Sequence, residues 1–177
     1  MKHTSHSSLK PVSEALAQML RQVNCNLAQE TVSLMQAHNR TLAQDHVARV
    51  NVPPANNSAM DGYALAYQDL QQLQLPVSQR IAAGQVPLPL QPGTVARIFT
   101  GAELPVGADL VVAQEDCEAS ATTIRVLGQH QLGQFIRRRG QDITCGTLVC
   151  RRGTRLQARH MGVLASIGIA KVAVYRP

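Results

Sequence analysis

The chain has 177 residues, enough for one or two small domains with a sizeable core. Aromatic residues are only 3% and Trp is absent, so the core must be built from Val, Leu, Ile and Ala, and little material is left for modules that stack bases on aromatic platforms. A formal net charge of +6 favours anionic partners in general (nucleic acid, phosphate esters, acidic surfaces) without choosing among them.

In chain order, Met1 to Lys10 is polar, with His3 and His6 in a Ser-rich start; it reads as a disordered tail and not as a secretory signal. Pro11 to Val23 is predicted as an amphipathic helix, because Val12, Leu16, Met19, Leu20 and Val23 recur at three- and four-residue steps. Ser13 is a candidate N-cap and Asn24 a candidate stop. A polar connector leads to an extended piece at Thr31–Leu34 and a brief helix to His38, with Asn39 where a left-handed residue would close it. Leu42 to Val52 is predicted as strand, ended by Pro53-Pro54.

Asn57-Ser58-Ala59-Met60-Asp61-Gly62-Tyr63-Ala64 then reads as a loop in which Asp61 stands beside a residue that takes positive φ freely. By spacing alone this is either an Asp-Gly turn between strands or a loop carboxylate offered to a ligand or metal. Ala64 to Leu73 has no clear period. From Leu75 to Val126 short β-branched runs are broken by turn residues: Val77–Ile81, Thr94–Ile98, Leu110–Val112 and Thr122–Val126, with turns at Gln91-Pro92-Gly93 and Pro105-Val106-Gly107. A second extended set is predicted over Phe135–Arg155, a helix over Gln157–Ile167 capped by Gly168, and a closing strand over Ile169–Tyr175.

The whole is α+β, mainly β: helices near both chain ends and a β-rich middle, as if a β domain were inserted into a smaller mixed one. The expected division is a tail at 1–10, a discontinuous mixed domain at 11–45 and 145–177, and an inserted β-rich domain at 46–144. Four cysteines, Cys25, Cys117, Cys145 and Cys150, have no Cys-x-x-Cys pair and no zinc spacing, so free thiols in a reducing cytoplasm are expected. No run approaches the roughly 18 apolar residues of a spanning helix.

The eight-residue word at 57–64 closely resembles the signature of the molybdopterin molybdenumtransferases, the MoeA and gephyrin E-domain family. Three further segments are similar to that family's motifs in order and spacing: Ile98–Asp109 continuing through Val111–Glu115, Arg137–Asp142, and Gly162–Gly168. The resemblance runs from about Pro11 to Pro177. It implies an elongated mixed domain carrying an inserted β domain, and a homodimer whose active site is shared between subunits. The implied reaction inserts molybdate into adenylylated molybdopterin with release of AMP, assisted by magnesium. Asp61 is the first candidate for the catalytic carboxylate and, with Asp142, for a metal ligand. Thr100 and Gly101 are the candidate anion donors. Arg137 would pair with a phosphate or the pterin edge, with Asp142 orienting it or meeting the ligand, and Glu115 is a weaker candidate. Asn39 departs from the family's usual Gly, harmlessly. The α/β domain that binds molybdopterin in the family is absent from this chain, so alone it is expected to have little or no transferase activity.

Two readings from other classes stand beside this. One is a non-catalytic dimerisation or scaffold module. The other is a basic nucleic-acid binder resting on Arg137, Arg138, Arg139, Arg151, Arg152, Arg155 and Arg159; the scarcity of aromatics and of any reading motif argues against specific nucleic-acid recognition. No membrane partner is expected.

Overall fold

The structure is a computed structural model and describes residues 9–23 and 27–176. Met1–Ser8, where a disordered tail and the His3/His6 pair were expected, and Asn24 and Cys25 lie outside the described residues.

Helix α1 spans Val12–Gln22, with Glu14 in its first turn and Arg21 in its last, each favourable to the helix dipole. Its N-cap is Pro11, not Ser13, which lies inside the helix. Proline has no N–H to leave unpaired and its fixed φ suits a helix entrance. The apolar stripe exists as predicted, yet no residue of α1 is buried: Leu16, Met19 and Leu20 are 54%, 67% and 63% exposed.

Strand β1 (Gln29–Ser33) is followed by a 3-10 turn at Leu34–Gln36 and by Asn39 at φ 64°, the left-handed residue the sequence suggested. The expected strand Leu42–Val52 is not continuous. Only β2 (His46–Val47) is regular, with isolated bridges at Leu42 and Val52. The buried residues Leu42, Ala43, His46 and Ala48 do not keep the period of two that a strand needs, and the backbone instead makes single bonds to several neighbours.

Beyond Pro53-Pro54 come β3 (Asn57–Ser58), β4 (Gly62–Leu65), a 3-10 turn at Tyr67–Gln71, β5 (Leu75–Ile81), β6 (Val95–Ile98), β7 (Leu110–Ala113), β8 (Cys117–Ala119) and β9 (Thr123–Val126). The predicted runs from Leu75 to Val126 are therefore strands; β8 was not anticipated, nor was β4, which falls where a loop and an aperiodic stretch were expected. Six of these strands form one sheet in the order β7-β4-β6-β5-β9-β8, with β5 and β6 parallel and the other pairs antiparallel. Strand β4 is buried along its whole length and carries a core on each face. Tyr63 and Leu65 point into one with Leu75, Val95, Leu110, Val112 and Ile124. Ala64 points into the other with Ile81, Ala96, Ile98, Ala102, Leu104 and Val111. Each of the fully buried Leu and Ile side chains stabilises the fold by on the order of 2 kcal/mol.

The predicted extended set at Phe135–Arg155 is mostly turn, with only β10 (Ile136–Arg137) and β11 (Leu148–Cys150) regular. Helix α2 (Ala158–Ser166) and strand β12 (Lys171–Tyr175) close the described chain, with Gly168 at φ 81° after the helix. A third core gathers Leu34, Leu42, Ala48, Cys150, Leu156, Leu164, Val172 and Val174, with β12 paired antiparallel to β1. Among the described residues no helix is long and apolar enough to cross a membrane. Cys117, Cys145 and Cys150 are free thiols.

Candidate functional site

Three of the four motif segments meet around β3. The Gly101–Glu103 segment runs along one side of it, through Gly101 N–H to the Ser58 carbonyl, Ser58 N–H to the Ala102 carbonyl, and a bridge between Asn57 and Glu103. Strand β10 runs along the other, with Arg137 opposite Asn57 and Ile136 opposite Ser58. The Asn57–Ser58 pair, expected on a loop, is thus a short strand between two other motifs. The fourth motif, Gly162–Gly168, lies on α2 and its end, where Leu164 and Ile167 pack into the third core.

Ser58 is fully buried, and its hydroxyl donates to the Met60 carbonyl at 2.6 Å while accepting from the Met60 N–H at 3.3 Å. That pair bends the chain sharply before Asp61. Gly62 then begins β4. It lacks the positive φ expected of it and is required for space instead: a Cβ there would lie 1.9 Å from the Val112 carbonyl oxygen on β7. The near backbone of β7 is what fixes the residue next to the acid.

Asp61 Oδ1 accepts two hydrogen bonds from one residue, from the Thr100 N–H at 2.8 Å and from the Thr100 hydroxyl at 2.7 Å. The Thr100 N–H foremost, then its hydroxyl and the charge of Arg97, hold the Asp61 carboxyl below the usual aspartate range; partial burial opposes them. The carboxylate is therefore ionised at neutral pH. Its own carbonyl accepts the Gln114 N–H at 3.0 Å, just beyond the end of β7. Thr100 and Gly101 were expected to offer donors to an anion. Here both their backbone N–H groups and the Thr100 hydroxyl face the protein, and Gly101 takes φ 82° to turn the chain.

Arg137 Nη2 donates to Asp142 Oδ2 at 2.6 Å, and both side chains are about half exposed. Their loop is laid against the segment that leads into β3: Gly140 N–H meets the Pro53 carbonyl, Asp142 N–H the Val52 carbonyl, and Arg139 N–H the Asn56 Oδ1 at 2.8 Å. Asp142 and Arg137 thus form an ion pair on this loop. Glu115 sits on the exposed 3-10 turn Gln114–Asp116 that follows β7, its carboxylate accepting from the Gln114 amide at 3.1 Å. Arg138 and Arg139 share the Arg137 loop, whereas Arg151, Arg152 and Arg155 lie between β11 and α2 and Arg159 lies in α2; Arg152 donates to the Tyr175 hydroxyl at 2.5 Å.

Sequence reasoning missed Arg97. It lies on β6 opposite Tyr63, its guanidinium 5.1 Å from the centroid of the Tyr63 ring and 4.7 Å from that of Phe99. A signal was present: two of the chain's five aromatic residues, Tyr63 and Phe99, stand inside the motif words.

A family model described as "MoeA N-terminal region (domain I and II)" matches residues 10–168. The chain is similar to the molybdopterin molybdenumtransferase of Haemophilus influenzae, 39% identical over 166 residues, covering 92% of this chain and 41% of that protein. It is also similar to the molybdopterin molybdenumtransferase of Synechococcus elongatus, 37% identical over 157 residues, covering 84% of this chain and 39% of that protein. The crystal structure of a molybdopterin biosynthesis moeA protein from Pyrococcus horikoshii superposes with a TM-score of 0.84 at 30% identity, over 96% of this chain and 45% of that one. The chain thus spans about two fifths of the length of the curated relatives it matches. With the fold and most of its length matched, the chain belongs to the MoeA N-terminal region family, domains I and II.

Proposed function

We propose that this chain supplies one side of the active site of a molybdopterin molybdenumtransferase, which inserts molybdate into adenylylated molybdopterin and releases AMP. The observation that carries the reading is the ionised Asp61, fixed by both donors of Thr100 where three motif segments meet. Such a carboxylate has a fixed direction and stays ionised, the properties required of a group that faces a polyanionic substrate through a cation. Arg137, held by Asp142, presents a half-exposed guanidinium suited to a phosphate.

Magnesium fits the donors present. Asp61 Oδ2 and Asp142 Oδ1 accept no hydrogen bond among the described residues, and carboxylate oxygens are what the ion takes, commonly one or two with substrate phosphates and water. Among the described residues no group of three or more His, Cys, Asp or Glu could hold a metal, so further ligands would come from substrate and solvent. When bound, the ion would neutralise pyrophosphate charge.

The reading extends to a cytoplasmic homodimer in which the Asp61 side faces an α/β portion of another subunit, and this chain alone is inactive. We also propose that the discontinuous mixed domain reaches to Val52 and resumes at Ile143, since Ala48, Val52 and Ile143 pack with its core. The test is molybdenum cofactor synthesis from adenylylated molybdopterin, molybdate and magnesium, with this chain alone and with a separately expressed α/β portion of a relative. Activity only in the mixture, lost on Asp61→Asn, supports the reading. No activity in a demonstrated folded complex would favour a scaffold.

A further inference from the structure

We propose that Arg97 is the positioning residue of the Asp61–Thr100 pair, joining by one planar guanidinium the two chain segments that carry them. This rests on the functional reading above for its relevance to catalysis, but not for its geometry.

Arg97 Nη1 donates to the Gly62 carbonyl at 2.9 Å, one residue past Asp61. Arg97 Nη2 donates to Gln114 Oε1 at 2.5 Å. Gln114 in turn gives its N–H to the Asp61 carbonyl at 3.0 Å. The guanidinium therefore holds the Asp61–Gly62 backbone directly on one side and through Gln114 on the other. Its ring contacts do the rest. Phe99, two residues on and just past the end of β6, has its ring beside the guanidinium and is directly followed by Thr100. Tyr63, which follows Gly62, stacks against it from β4. One side chain thus touches the residues flanking both members of the pair.

Only an arginine does this. The bonds leave the guanidinium in two directions at once, and its flat faces remain free for the rings. A lysine ammonium keeps the charge but is a point donor without a planar face. Arg97 joins none of the ion pairs among the described residues, so its charge is not consumed by a carboxylate at contact distance. Arg80 serves as an internal control. It lies opposite Arg97 on β5 with its guanidinium 4.5 Å from the centroid of the same Phe99 ring, but among the described residues its side chain makes no hydrogen bond to the Asp61–Gly62 backbone.

The test uses the chain itself, without substrate, by NMR. Arg97→Lys and Arg97→Met should accelerate hydrogen exchange of the Thr100 and Gln114 amides about tenfold, leaving the amides of Ala64 and Val111 in the same sheet unchanged. The Thr100 amide proton should move upfield as its bond to Asp61 loosens. Wild-type exchange and shift in Arg97→Lys would overturn the proposal, as would equal acceleration across the sheet, which marks a core cap only. Arg80→Lys should leave all four amides as they are. If neither Arg97 variant folds, Gln114→Met decides: it removes one anchor from an exposed side chain, and an unmoved Thr100 amide overturns the proposal. These signals do not depend on transferase activity, so the positioning role and the proposed function can fail separately.

Discussion

Two acidic residues in two motif words, Asp61 and Asp142, are held in opposite ways. Asp61 is gripped by a backbone N–H at the end of a sheet strand, and its neighbour Gly62 is pressed against the carbonyl of another. Asp142 is gripped by a half-exposed arginine side chain five residues away. A backbone donor cannot rotate away without moving the sheet, whereas an exposed arginine can swing into solvent at small cost. The first arrangement suits a group that must keep one direction. The second suits a pair that opens to admit a ligand.

Substitutions can break this contrast, and the largest effect is expected at Gly62. Gly62→Ala drives a methyl into the Val112 carbonyl and should destabilise the chain by about 2–3 kcal/mol, seen as a lower urea midpoint at unchanged slope. A neutral midpoint would mean that β4 and β7 can part, and that Asp61 is not rigidly held. Next comes Thr100→Val, which removes the hydroxyl and keeps the N–H. The Asp61 carboxyl, read by carbon-detected NMR, should titrate nearer the ordinary aspartate value of 3.8 than in the wild type, but remain below it. In sign, the Thr100 bonds stabilise the fold above that value and their contribution is lost as the pH falls through the lowered one.

That acid titration is overlaid by His46, which needs separating. His46 is buried, its Nε2 has no partner, and burial holds its pKa below the ordinary 6.5. Protonation therefore favours the unfolded chain, so stability should be whole above pH 6.5 and decline as the pH falls below it. His46→Leu should flatten the slope just below that pH and leave the Asp61 region's own acid loss visible. The smallest effect belongs to the second region. A double-mutant cycle on Arg137→Met and Asp142→Asn should give a coupling of about 0.5 kcal/mol, reduced in high salt. A coupling of about 2 kcal/mol would place Asp142 in the same rigid class as Asp61 and erase the contrast.

Local chemistry was legible where it decides structure by itself. Asn39 took its left-handed turn, Gly93 and Gly107 their turns, and the β-branched runs from Leu75 to Val126 became strands. Reading failed where partners decide. Leu42–Val52 has the apolar residues of a strand but finds no continuous neighbour, and Phe135–Arg155 is drawn out into turns against Leu42–Ser58. The two helices show the same limit. Both have apolar stripes, yet α2 buries Leu164 in a core and α1 buries nothing.

The sequence by itself determined the mainly β composition, the aliphatic core, the motif words and the presence of Asp61, Thr100, Arg137 and Asp142. It did so because turn residues, β-branching and motif spacing act within a few positions of the chain. Only the tertiary structure decided that Thr100 lies on Asp61 across 39 residues, that Gly62 is there for space and not for φ, and that Arg97 joins the two. Those relations depend on which strands pair and in what register, and pairing is fixed by contacts between segments that carry no mark of one another in sequence.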